Sequence, residues 1–107
     1  MNINTLEKNS QFEEIYQTLK EYLPQLKEEY QIKQLGIFGS YVRGEQTKNS
    51  DLDLLIEFNP EARFGLITFC QLENKLSEKL GKKVDLVMKN SLKPYLGKNI
   101  LKEVVYL

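Results

Sequence analysis

Residues 32–58, IKQLGIFGSYVRGEQTKNSDLDLLIEF, decide the fold. The run from Ile32 to Phe38 is short and apolar, and it stops at Gly39-Ser40. The run from Asp51 to Phe58 alternates polar and apolar before turning continuously apolar, and Asn59-Pro60 closes it. Both lengths suit strands and are too short for helices. Two strands joined through a Gly-Ser turn and a polar loop are expected, with carboxylates at the start of the second.

Working outward, Ser10-Gln11-Phe12-Glu13 has the spacing of a capping box. Phe12, Ile15, Tyr16, Leu19, Tyr22, Leu23 and Leu26 follow at steps of three and four, so the spacing predicts an amphipathic helix that starts at Ser10 and ends or restarts at Pro24. Leu66, Phe69, Cys70, Glu73, Leu76 and Leu80 form a second helical stripe, stopped by Gly81. VDLVM, Val84 to Met88, reads as a third strand, and Ile100, Leu101, Val104 and Val105 predict a last helix from Pro94 to the end of the chain. The expected fold class is α+β, a small mixed sheet flanked by helices. The length of 107 residues is that of one domain, 1–107.

Composition narrows the function by exclusion. Leu, Ile, Val and Phe make up near a third of the chain, enough for a core. Fifteen basic and fifteen acidic residues cancel, so no global positive field favours direct binding of nucleic acid. The first 30 residues are acidic and the remainder mildly basic. There is no His, which removes Ser-His-Asp, Cys-His and histidine-zinc chemistry. The one cysteine, Cys70, allows no internal disulfide and is expected to pack in the core; a reducing, cytoplasmic setting follows. No apolar stretch has the length of a membrane span. Any catalysis must use carboxylates, hydroxyls, amines or a metal held by oxygen.

Three carboxylates interrupt apolar strands. Asp51 and Asp53, two apart, are expected on one face of a strand about 6.5 to 7 Å from each other. Asp85 sits second in VDLVM. Each alone reads most simply as a cap or a partner for Lys or Arg. Three converging acids would repel one another without a cation, and oxygen ligands select Mg²⁺ or Mn²⁺. Gly39 permits close approach of an anion, and Ser40 supplies a hydroxyl donor at the start of a short helix. There is no GxxxxGK[ST] loop and no dinucleotide fingerprint.

Taken together, GSYVRGEQTKNSDLDLLIEF resembles the signature of the nucleotidyltransferase superfamily typified by DNA polymerase beta: Gly-Ser, then Arg-Gly, then a DxD pair. With LGKKVDLV and ILKEVVYL the chain is similar, from Leu35 to Leu107, to the minimal nucleotidyltransferases, the MNT partners of HEPN proteins in toxin-antitoxin modules. Val42 stands where that family usually has Ala. The resemblance implies the polymerase beta-like fold. It implies that Gly39 and Ser40 hold the triphosphate of ATP, that Arg43 shapes the turn or reaches phosphate, and that Asp51, Asp53 and Asp85 bind two Mg²⁺ ions and carry catalysis.

It further implies a substrate. MNT antitoxins are associated with transfer of AMP from ATP to a tyrosine of a cognate HEPN ribonuclease toxin, which must be a separate chain because the HEPN motif needs a His. Two other readings stay open at this point: neutralisation of the toxin by binding alone, with a vestigial site, or nucleotidylation of a small molecule in a pocket built by a homodimer. The small size of the chain favours a macromolecular acceptor that brings its own binding surface.

Overall fold

A computed structural model describes residues 5–63 and 65–107. Helix α1 (Thr5–Tyr30) leads into strand β1 (Ile32–Phe38), the one-turn helix α2 (Ser40–Arg43) and strand β2 (Leu52–Phe58). Helix α3 (Leu66–Leu80), strand β3 (Val84–Met88), a 3-10 turn at Lys89–Ser91, helix α4 (Pro94–Glu103) and strand β4 (Val105–Tyr106) complete the order. The sheet runs β3-β2-β1-β4. β1 is antiparallel to both β2 and β4, while β2 and β3 are parallel, joined by the α3 crossover. This is the mixed sheet with helices that the pattern predicts. No helix among the described residues is long and apolar enough to cross a membrane.

The period of two along β2 sorts its residues between the faces of the sheet. Leu52, Leu54 and Ile56 are buried and join Leu35 and Ile37 of β1, Leu19 and Leu26 of α1, and Leu72 and Leu76 of α3 in one apolar cluster. Asp53, Leu55 and Glu57 alternate with them and so face the other way. Opposite Asp53 in the pairing stands Phe38 of β1. Ile100 and Glu103 of α4 line the same cavity as Phe38 and Asp53, which places α4 on this second face.

Four local expectations give way to tertiary packing. α1 starts at Thr5, so Ser10 and Glu13 lie inside the helix, both exposed, and do not form a capping box. Pro24 also lies inside α1 and does not end it. The proline is exposed, whereas its neighbours Leu23 and Leu26 are buried in the core, and that burial offsets the hydrogen bond proline cannot donate. On α3 the buried residues are Leu72 and Leu76, while Leu66 and Cys70 are exposed; the stripe is rotated from the one expected, and Cys70 is not a core residue.

The last helix stops at Glu103. Val104 turns to an extended conformation, and Val105 and Tyr106 pair with Ile37 and Gly36. β-branched residues are stiff and favour strands, and β1 offers a free edge here. Gly36 makes the approach possible: a Cβ on it would lie 2.5 Å from Val104 Cγ2.

Candidate active site

β1 ends at Phe38 and the chain turns sharply at Gly39, which has φ 84° and ψ −154°. A side chain is excluded there twice, because that backbone region suits only glycine and because a Cβ would collide with the Asp53 carboxylate. The carbonyl of Gly39 accepts from the Val42 and Arg43 amides at 3.1 and 3.2 Å, which winds α2. Gly44, at φ 69°, ends α2 as a left-handed cap. Ser40 is half-buried, and its hydroxyl bonds to no group among the described residues. The glycine thus lets the turn close onto the carboxylate while the adjoining hydroxyl stays available.

Asp53 and Asp85 are direct partners across the parallel β2-β3 pair, so their side chains rise from the same face side by side. Asp51 lies just before β2, half-buried, with Oδ2 3.9 Å from Lys83 Nζ. Burial, then Asp85, then Asp51 push the Asp53 carboxyl up to about 6, against a weaker opposite pull from Arg43. The three sequence-predicted acids therefore share one electrostatic neighbourhood. Among the described residues no three carboxylates stand close enough to form a ready-made cation cage. Burial and the two neighbouring acids disfavour the charged form of Asp53. An all-oxygen donor set of this kind fits a hard divalent cation.

Arg43 is engaged by two carboxylates. Its Nη1 lies 3.0 and 2.9 Å from Glu103 Oε1 and Oε2, and its Nε donates to Glu45 Oε2 at 3.0 Å. Glu103 Oε1 also accepts from the Gly39 amide at 2.8 Å. Both acids raise the Arg43 guanidinium, Glu103 the more strongly. Sequence reasoning missed Glu103 as a site residue. The available signal was one acid between an amphipathic helix and an apolar run, and its partners lie 60 and 64 residues away in the chain.

Around these groups the second face opens into a cavity of about 520 Å³, lined among others by Gly39, Arg43, Asp53, Lys93, Asn99 and Glu103. An adjoining apolar hollow of about 540 Å³ shares Val87 and Ser91 with it. Lys83 is paired with Asp51, and Lys82 places its ammonium 5.1 Å from the Tyr41 ring centre. Tyr95 is exposed, and Tyr106 lies half-buried beneath Lys89.

The site thus combines a glycine turn that closes onto a strand carboxylate with a second acid in register beside it. Residues 19–107 match the family described as Nucleotidyltransferase domain, and the chain belongs to it; it is a nucleotidyltransferase. Among its relatives is the protein adenylyltransferase MntA of Thermococcus cleftensis, 46% identical over 94 residues, covering 88% of this chain and 93% of that one. Two solved structures are similar. One, described as a minimal nucleotidyltransferase, has a TM-score of 0.72 at 32% identity over 88% of this chain and 94% of its own. The other is a toxin-antitoxin structure with AMP-PNP, with a TM-score of 0.66 at 25% identity over 81% of this chain and 70% of its own. The expected minimal-nucleotidyltransferase family and fold are thereby borne out.

Proposed function

We propose that this nucleotidyltransferase is an antitoxin that transfers AMP from ATP to a tyrosine of a cognate HEPN ribonuclease toxin in the cytoplasm and so silences it. The observation that carries this reading is the register pairing of Asp53 with Asp85 beside the Gly39 turn. It sets two acids on one face of the sheet, with Asp53 and Gly39 lining a cavity of about 520 Å³. The 46% identity to a protein adenylyltransferase supports the choice of a protein acceptor, and the toxin-antitoxin neighbour with AMP-PNP supports the choice of nucleotide and of partner.

In this reading Gly39 and Ser40 receive the triphosphate, the first by admitting it and the second by donating its hydroxyl. Asp51, Asp53 and Asp85 would hold Mg²⁺, two ions in the expected arrangement. When bound, the ions lower the pKa of the acceptor hydroxyl and neutralise charge on the departing pyrophosphate. The tyrosine oxygen bonds to the α-phosphorus, the bond to the β-phosphate oxygen breaks, and the phenolic proton passes to solvent. Asp85, exposed on the edge strand β3, stands where an incoming macromolecule reaches the site. No histidine base is required, since the carboxylates organise the charge.

The test is mass spectrometry of the candidate HEPN protein after incubation with this chain, ATP and Mg²⁺. The expected gain is about 329 Da per AMP, the mass of ATP less pyrophosphate, located on a tyrosine and retained after the antitoxin is removed. Absence of added mass, with ribonuclease activity recovering on separation, would establish neutralisation by binding alone.

A further inference from the structure

Glu103 makes contacts that the proposed chemistry does not use. Its carboxylate takes the Gly39 amide at 2.8 Å and Arg43 Nη1 at 2.9 and 3.0 Å, and the side chain is only 24% exposed. Gly39 is the residue whose positive-φ turn brings the backbone against Asp53. One acid at the end of α4 therefore grips both ends of the segment from Gly39 to Arg43.

Two roles suit such a contact. Glu103 could be an anion that yields its donors to the triphosphate, or a fixed brace that shapes the turn. The surroundings of its backbone favour the second. On one side the Val104 amide bonds to Ile100 at 2.9 Å and closes α4. On the other, Val105 and Tyr106 pair with β1, and the Leu107 amide bonds to the Leu35 carbonyl at 3.0 Å. Val104 is wedged against Gly36 in β1, the strand that leads into Gly39. Glu103 is thus pinned to β1 on the sheet side and to α4 on the other. With its backbone held on both flanks and its carboxylate bonded to Gly39 and Arg43 together, Glu103 suits a fixed brace.

We infer that Glu103 is a positioning residue: it holds the Gly39-Ser40 turn in its binding shape and consumes the charge of Arg43, leaving Ser40 to meet phosphate. Arg43 is then part of the brace and not a phosphate ligand. The inference rests on the nucleotide-binding role proposed for the turn. It also assigns β4 a purpose, since this two-residue strand fixes the acid that fixes the site.

The experiment compares wild type, Glu103→Gln and Glu103→Ala, by NMR amide exchange without nucleotide and by calorimetric titration with ATP and Mg²⁺. In Glu103→Ala, Gly39 amide exchange should rise at least about tenfold, with Leu54 and Ile56 amides unchanged, and ATP affinity should fall about tenfold, the loss of one charge-assisted hydrogen bond. Glu103→Gln, which keeps an acceptor for Gly39 and preserves shape, should lie between and serves where the alanine variant does not fold. Arg43→Lys should weaken ATP less than Glu103→Ala does. Unchanged Gly39 exchange in both Glu103 variants overturns the inference, as does tighter ATP binding, the signature of a displaced competitor. A wild type that protects Gly39 but binds no ATP with Mg²⁺ overturns the nucleotide role of the turn, and Glu103's part in it.

Discussion

The two faces of β2 are built from alternate residues of one seven-residue strand, and they obey opposite rules. Leu52, Leu54 and Ile56 face α1 and α3, fully buried among apolar neighbours. Asp53, between two of them, lines a wide cavity near Asp85 and Asp51 and has a carboxyl raised to about 6. The first face lowers the energy of the fold; the second holds a group whose environment disfavours its charged form. A chain keeps such a conflict where binding a cation or ligand relieves it, and the stability of the first face is what makes the second tolerable.

The sharpest way to break the contrast is to neutralise the second face. Asp51→Asn with Asp53→Asn should cut AMP transfer by about a thousandfold or more, as expected when groups acting on the transition state are lost, while chemical denaturation shows the apo protein no less stable than wild type. A double variant that retains transfer, or that unfolds, would erase the distinction between the faces. On the first face the effect should reverse. Leu54→Ala removes a fully buried side chain and should cost about 2–5 kcal/mol in urea unfolding, a loss shared by structure and activity alike.

A subtler test uses pH. Because the folded Asp53 carboxyl sits at about 6 and the unfolded one near 3.8, the native state binds its proton more readily. The destabilisation is complete above about pH 6 and is relieved as pH falls from there toward 4. Asp53→Asn lacks it. Without metal, the melting temperature of the variant should exceed that of wild type at pH 7.5, and the gap should close by pH 4. A constant gap would show that the Asp53 environment is not the cause.

The smallest expected effect concerns the edge of the sheet. Ser77 Oγ accepts from the Val84 amide at 3.0 Å and donates to the Glu73 carbonyl, while Glu73 Oε2 accepts from the Leu86 amide at 2.9 Å. These two α3 side chains occupy the open edge of β3, the strand that carries Asp85. Ser77→Ala should cost about 1 kcal/mol, the net worth of a part-buried hydrogen bond, and lower transfer by no more than a few fold. A larger loss of activity than of stability would place β3 edge support within the catalytic design.

Much of this arrangement is written in short-range pattern. β1, β2, α3 and β3 fall within a residue of where the apolar runs and Gly81 place them, because a strand or helix with one buried face must repeat its apolar residues at its own period. The Gly39-Ser40 turn, Asp51, Asp53 and Asp85 are legible for a related reason: polar or glycine residues that interrupt an apolar run need an explanation. Pro24 misleads because the burial of Leu23 and Leu26 offsets the hydrogen bond it cannot donate, and Val104-Val105 because their helical spacing gives way to the strand preference of valine and the free edge at Gly36.

What the sequence determined by itself is therefore β1, β2, α3 and β3, and where along them Asp51, Asp53 and Asp85 fall. The tertiary structure alone decided which acid is strained, which helix residues are buried on α3, and that Glu103 reaches across 60 residues to Arg43. Periodicity records which way a side chain points within its own element. It carries no information on which distant group is waiting there, and at this site the docking of β4 on β1 accompanies a single α4 carboxylate within hydrogen-bonding distance of the turn that follows β1.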